Sequence, residues 1–432
     1  MAPNVTTIVT LLTVAFLTTP SARSAEVIRD TTGSTESTGA YYSGLYPDLF
    51  STLLGKSKEE VAARIDSTFG QLFFGDSESQ RVYYQVGTDM AYIEDIANND
   101  VRTEGMSYGM MIAVQMNRKD VFDRLWKWAR TYMYFKDGAH RGYFAWHCRP
   151  DGMKLDSTAA SDGEEWFAMS LMFASGRWGD GKGVFDYKAA AQKILHTMLH
   201  KESEAGHGNV TNMFNAKKKL VAFVPKAEGD RFTDPSYQLP HYYELWARWA
   251  KRDNAFWCDA ASASRKLLRR AAHPITGLSP DYSQFDGTPI PPLRAGKDTF
   301  RFDAWRVAMN VALDWLWFQR DPWEVTQSNR LLDFFHSQGL ADYGNQYSLD
   351  GRKLGNDHSS GLVAMNAVAA LASTNLNRKE FVAEFWNTPI PRGHYRYYDG
   401  MLYMLAMLQV SGNFRIYDPT GKVVPRCLNS VR

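Results

Sequence analysis

Four acidic residues, Glu104, Asp162, Asp303 and Asp357, each stand at the head of an apolar stretch inside a short polar cluster. The clusters read "RTEGMSYG" (Arg102–Gly109), "ASDGEEWF" (Ala160–Phe167), "FRFDAWR" (Phe300–Arg306) and "NDHSSG" (Asn356–Gly361). Two more of the same kind are "TDPSYQLP" (Thr233–Pro240) and "HYRYYDG" (His394–Gly400). Paired carboxyls can cleave a glycosidic bond: one gives a proton to the leaving oxygen while the other, ionised, takes a proton from water. A lone acid at a helix start is ordinarily a cap favoured by the helix dipole. Several in register, beside Tyr108, Trp146, Trp166, Tyr237, Trp305 and Tyr397, point to a sugar site, because Trp and Tyr rings make platforms for pyranose faces.

A rival nucleophile sits in the same stretch. Gly105-Met-Ser107-Tyr-Gly109 matches the G-x-S-x-G elbow of esterases. That elbow needs a buried strand just before the serine, and the preceding "EDIANNDVRTE" is polar. Ser107 is therefore expected in the first turn of a helix, without nucleophilic work. Gly179-Asp-Gly181-Lys-Gly183 lacks the strand and the full fingerprint of a phosphate loop and reads as a turn. There is no H-E-x-x-H, and His147-Cys148 is adjacent rather than at metal-ligand spacing, so neither a catalytic metal nor a cofactor is expected.

The elements that must carry these residues are helices of two alternating kinds. One kind is amphipathic: in "KDVFDRLWKWARTYMYF", Val121, Phe122, Leu125, Trp126, Trp128, Ala129, Tyr132 and Met133 share one stripe. Ser57–Phe69, Asp186–Leu199, Asp253–Ala271, Asp321–Phe335 and Asn377–Trp386 look alike, with start signals at Ser57-Lys-Glu-Glu60, Asp321-Pro322 and Asn377. The other kind is apolar nearly all round: Gly105–Met116, Glu165–Ser175, Ser236–Ala250, Asp303–Phe318, Ser360–Ser373 and Asp399–Leu408. A helix with no polar face is buried on every side. Roughly six alternations predict an all-α toroid of helical hairpins, apolar helices inside and amphipathic ones outside, with loops and short strands between. Parallel inner helices would bring Glu104, Asp162, Asp303 and Asp357 to one face, converging on the ring axis.

The bulk numbers are those of an ordinary globular chain of 432 residues, 44% hydrophobic and 22% charged, with no second linker or low-complexity tract beyond about Tyr41. A net charge of +2 and the lack of a basic run or basic helix face argue against nucleic-acid and anionic-membrane partners. "TIVTLLTVAFL" (Thr7–Leu17), followed by "SARSA", reads as a secretory signal cleaved near Ser24 or Ala25, and the run is short of the ~20 residues that span a bilayer. We therefore expect a signal over residues 1–25, a flexible Ser/Thr/Gly-rich segment over 26–40 and one domain over 41–432. The mature protein is expected to be secreted or periplasmic and monomeric. Cys148, Cys258 and Cys427 permit at most one internal disulfide, and Asn209-Val-Thr211 is a glycosylation acceptor in a eukaryotic host.

In series, "TEGMSYGMMIAV", "ASDGEEWFAMSLMFAS", "DPSY" and "FRFDAWRVAMNVALDW" resemble the signature blocks of glycoside hydrolase family 8, in the same order, over about Tyr41–Ile416. The resemblance implies an (α/α)6 barrel that inverts anomeric configuration. It implies Glu104 as general acid, Asp303 as general base, Asp162 as the carboxylate binding the −1 sugar and Tyr237 as a holder of the nucleophilic water. Glu104 must keep its proton near neutral pH, so a negative neighbour, Asp162, is expected to raise its pKa. Inversion implies roughly 6.5–9.5 Å between the Glu104 and Asp303 carboxyls. Arg306, three residues after Asp303, either orients it or makes an ordinary surface pair.

Within the family, "GYFAWHCRPDG", "SDGEEWF" and "DHSSGLVAMNAVAALA" look most like the exo-oligoxylanases that release xylose from the reducing end. His358 matches the histidine whose loop closes the cleft beyond the +1 sugar; it is followed by Ser359-Ser360 where the subgroup often has proline. The resemblance implies xylo-oligosaccharides as substrate. The alternatives are an endo-acting β-1,4-xylanase or β-1,4-glucanase on the same fold, and an inactive carbohydrate-binding barrel.

Overall fold

The computed structural model describes residues 39–290 and 298–421. The expected signal segment, residues 26–38 and Cys427 lie outside the described residues. Gly39 and Ala40 do not continue the expected flexible segment. Both are buried, Ala40 opens the first helix, and a Cβ on Gly39 would meet the Trp317 carbonyl at 2.3 Å.

Two short helices, α1 (Ala40–Ser43) and α2 (Leu49–Leu54), precede a double ring. The outer helices are α3 (Lys58–Phe74), α5 (Lys119–Trp128), α7 (Tyr187–His200), α9 (Asn254–Ala271), α11 (Trp323–Ser337) and α13 (Arg378–Asn387). The inner helices are α4 (Thr103–Gln115), α6 (Ser161–Trp178), α8 (Pro240–Trp249), α10 (Arg306–Phe318), α12 (Ser360–Ala369) and α14 (Arg396–Val410). α4 packs on α6 and α14, α14 on α12, α12 on α10 and α10 on α8. The remaining junction is made by side chains: Trp166 of α6 meets Tyr242 of α8 edge-on at 5.3 Å, and the Tyr243 hydroxyl donates to Glu165. Each outer helix covers an inner one: α5 on α4, α7 on α6, α9 on α8, α11 on α10, α13 on α12 and α3 on α14. This is the (α/α)6 barrel, and the alternation of apolar and amphipathic helices is its cause: only the inner position removes water from every face of a helix such as SGLVAMNAVA.

Local signals act where they stand. The Ser57 side chain accepts from Glu60 N while Glu60 accepts from Ser57 N, a capping box. Asn377 does not cap; its side chain donates to Asp333 at 3.1 Å. The helix expected from Ser236 begins at Pro240, because Leu239, held by the following proline, sits at φ −119°, ψ 63°. Asp303 lies in a 3-10 turn, Phe302–Trp305, that feeds α10. Between α8, α9 and α10 the Arg265 guanidinium joins Asp314 (2.6 Å) and Glu244 (2.9 Å) in a buried network that no helical period announces.

Among the described residues, four two-stranded antiparallel ribbons fill the connections: β1–β2 (Tyr83–Val86, Met90–Ile93), β3–β4 (Val101–Arg102, His147–Cys148), β5–β6 (Phe214–Asn215, Leu220–Val221) and β7–β8 (Gln346–Tyr347, Lys353–Gly355). Cys148 is a buried free thiol, Cys258 is disulfide-bonded and Asn209 is exposed.

Candidate active site

The starts of the inner helices converge on one guanidinium. Arg306, the first residue of α10, has a side chain only 3% exposed. Its Nη1 donates to Glu104 Oε2 at 2.7 Å, to the Tyr108 hydroxyl oxygen at 2.9 Å and to Asp162 Oδ2 at 3.4 Å. Its Nη2 donates to Asp303 Oδ1 at 3.0 Å and lies 3.9 Å from Asp234 Oδ2. Glu104 and Asp303 therefore sit on opposite amino groups of one planar cation, neither in contact nor in separate regions. The two distances and the width of a guanidinium cap the gap between their nearest oxygens at about 8 Å, below the upper end of the range that inversion implies. Arg306 is not the surface pair that its spacing from Asp303 allows; burial makes it the shared counter-charge of four carboxyls.

Short-range structure holds Glu104 in place. Strand β3 runs into α4 without a loop, with Arg102 paired to His147, and Thr103 N donates to the Trp146 carbonyl at 2.9 Å. The second carboxyl oxygen of Glu104 accepts from the Tyr397 hydroxyl at 3.0 Å. That approach requires Gly105, where a Cβ would lie 2.5 Å from the Tyr397 ring. Ser107 donates to the Glu104 carbonyl at 2.9 Å from inside the helix, as its place in the first turn predicts.

These groups face a cavity of about 1020 Å³ lined by Glu104, Asp162, Asp303, Arg306, Trp146 and Tyr237 among others. Tyr237 stacks with Phe223 at 5.8 Å and lies 5.7 Å from the Arg306 guanidinium; Trp146 stacks on His147 at 3.6 Å beneath Arg102. Of the other aromatics expected to carry sugars, Tyr108, Trp166, Trp305 and Tyr397 do not line the cavity. All four are buried, because an aromatic at or just inside the start of a fully enclosed helix can point into the packing between helices. Tyr108 holds Arg306, Trp166 packs edge-on to Tyr108, and Trp305 donates to the Asn345 carbonyl at 3.1 Å. Asp357 does not join the carboxyl cluster: it is exposed on the loop before α12. The carboxyl in its place is Asp234, buried and preceding Pro235 in the third inner start. His358 is also outside the cavity lining. Its Nδ1 donates to the Tyr343 carbonyl at 2.9 Å and its Nε2 faces Glu384 Oε1 at 2.9 Å. With an acceptor on each nitrogen the ring favours the imidazolium, and Glu384 raises its pKa.

Burial is the main cause that pushes the Glu104 carboxyl up to about 7; Asp162 and Asp303 add to it and Arg306 opposes it. The expected influence of Asp162 is present, but dehydration outweighs it. Asp162 is also raised, by burial first, against the pull of Arg306. The Tyr237 phenol is held well above its ordinary value by burial and by Asp162, Asp234 and Asp303, so it stays a hydrogen-bond donor.

The residues that the sequence did not single out come mostly from loops. Phe223, Phe232 and Tyr282 form an aromatic group on the cavity wall with Tyr237. No periodicity marks them. Asp234 did carry a signal, an acid ahead of a proline at an inner-helix start. The His/Asp group with metal-ligand spacing among the described residues, His196, His200 and Asp253, lies outside this cavity.

The model of glycosyl hydrolases family 8 matches residues 86–412. The reducing-end xylose-releasing exo-oligoxylanase Rex8A of Paenibacillus barcinonensis is 50% identical over 88% of this chain and 98% of its own. Its structure complexed with xylose superposes with a TM-score of 0.84 at 49% identity, covering 88% of this chain and all of that one. A xylohexaose complex of a catalytic mutant of a Teredinibacter turnerae xylanase of the same family gives 0.85 at 43% identity, over 88% and 100% of the two chains. The carboxyl pair, the ring of enclosed helices and these likenesses together make the chain a glycoside hydrolase that belongs to glycosyl hydrolases family 8.

Proposed function

We propose that this protein releases xylose from the reducing end of xylo-oligosaccharides by inverting hydrolysis of β-1,4-xylosidic bonds. The observation that carries the reading is the Arg306 bridge, which holds Glu104 and Asp303 on opposite sides of one cation at the cavity floor. Glu104, protonated up to about pH 7, gives its proton to the glycosidic oxygen as the bond to C1 breaks. Asp303 takes a proton from the water that attacks C1 from the opposite face. Asp162 holds the −1 sugar, and Tyr237 donates to the attacking water. The printed activity of the 50%-identical Paenibacillus relative supports the choice of substrate and of reducing-end action.

Proton NMR of xylotriose hydrolysis tests the reading when the reducing-end xylose carries an isotope. Labelled free xylose and a newly formed α-anomer on xylobiose are expected; a first-formed β-anomer overturns inversion, and label retained in xylobiose overturns reducing-end release. An endo-acting xylanase is the second reading, favoured by Ser359 and Ser360 after His358 and by the likeness to the Teredinibacter xylanase. A spread of oligomers from xylohexaose would select it. We further propose action outside the cytoplasm, supported by the apolar run Thr7–Leu17 and the small residues after it; N-terminal sequencing of the exported protein tests this.

A further inference from the structure

The last turns of α7 carry His196 and His200, four residues apart and so on one helical face. Their ring centroids are 4.6 Å apart. The connection from α8 to α9 brings Asp253 against them, with its Oδ2 2.8 Å from His200 Nε2. One ligand-capable atom from each of the three residues falls within 4.8 Å of the others. His196 and Asp253 line a separate cavity of about 300 Å³ that shares no residue with the catalytic one. The backbone on both sides is already tied: Gln192 donates to the Trp249 carbonyl at 2.9 Å, and Lys251 N donates to Gln192 Oε1 at 2.8 Å. Asp253 adopts φ 62°, a left-handed conformation that aspartate tolerates better than most residues.

We propose that His196, His200 and Asp253 form a divalent transition-metal site, suited to Zn²⁺ with water as fourth ligand. Two imidazoles and one carboxylate match the donor preference of that ion, whose tetrahedral shell sets neighbouring ligands about 3.3 Å apart. The metal replaces the His200–Asp253 hydrogen bond, and the exposed His196 ring turns inward to complete the shell. Lys251 and Arg252 flank the cleft, and their charges oppose a cation; both are exposed, so solvent screens them. Bound metal would clip α7 to the α8–α9 connection and stabilise the folded chain without touching the catalytic groups.

Calorimetric titration of the untagged, chelator-stripped full chain with Zn²⁺ is the test. One equivalent bound in the micromolar range is expected, with a rise in thermal midpoint. His196→Ala, His200→Ala and the conformation-sparing Asp253→Asn should each weaken binding by about tenfold or more and abolish the thermal response, leaving hydrolysis of xylotriose unchanged. Absence of saturable binding overturns the proposal. So does binding that survives both histidine substitutions, which would place the ion elsewhere.

Discussion

Arg306 Nη1 donates to Glu104 Oε2 at 2.7 Å across 202 residues of chain. The same guanidinium reaches Asp303 through Nη2, so the two carboxyls and the cation between them are joined as one unit. Replacing it by methionine leaves four buried or half-buried carboxyls without their shared cation. Arg306→Met should cost about 3–5 kcal/mol in denaturant unfolding and lower kcat/KM at least about 100-fold. Arg306→Lys should recover part of the stability but little activity, since one ammonium cannot serve two opposite acceptors as a planar fork does.

The basic limb of the kcat/KM profile should fall near pH 7, where the buried Glu104 loses its proton. Asp162→Asn removes a charge that raises this pKa and should move the limb to lower pH; a limb that stays in place excludes that electrostatic role. Glu104→Gln should lower kcat by about 10²–10⁴-fold with the fold intact by circular dichroism.

Stability carries the same titration. The folded chain holds a proton on Glu104 from about pH 4.5 to about 7 that the unfolded chain has released. A folded state that binds more protons loses stability as pH rises through that window, and the loss persists above it. The thermal midpoint of Glu104→Gln relative to the parent should therefore climb between those pH values and then level. A flat difference would show that the carboxyl is not raised.

Gly105 gives Tyr397 room to reach Glu104. Gly105→Ala improves helix propensity by up to about 1 kcal/mol yet drives a methyl into the tyrosine ring. We expect kcat to fall about 10–100-fold with KM little changed, as Tyr397 and the acid lose register. Unchanged kcat would mean that the Tyr397 contact is dispensable.

The residue after His358 is tied to the start of α10 by a short chain of bonds: Trp305 donates to the Asn345 carbonyl, and Asn345 donates to Ser359 Oγ at 2.9 Å. The His358 ring is held between Glu384 and the Tyr343 carbonyl. Glu384→Gln or His358→Ala should loosen this loop, and the first products from xylohexaose labelled at its reducing-end xylose should then show label in xylobiose as well as in free xylose. Label in free xylose alone would remove the loop from control of chain-end selection.

Taken alone, the sequence determined the class of fold and three of the acidic residues that meet at Arg306. Helical period and the lack of a polar face are local properties of each segment, and together they dictate which helices are enclosed. Glu104, Asp162, Asp303 and Tyr237 were legible because they stand at those helix starts. Only the tertiary structure decided which of the remaining candidates meet. Asp357 and Asp234 occupy equivalent places in the chain, yet one is exposed and the other is buried beside Arg306. Likewise Trp305 and Trp166 pack inside the ring while Phe223 and Tyr282, from unpatterned loops, line the cavity. The reason is that burial and side-chain direction around a closed ring depend on neighbours hundreds of residues away, and no local period encodes them.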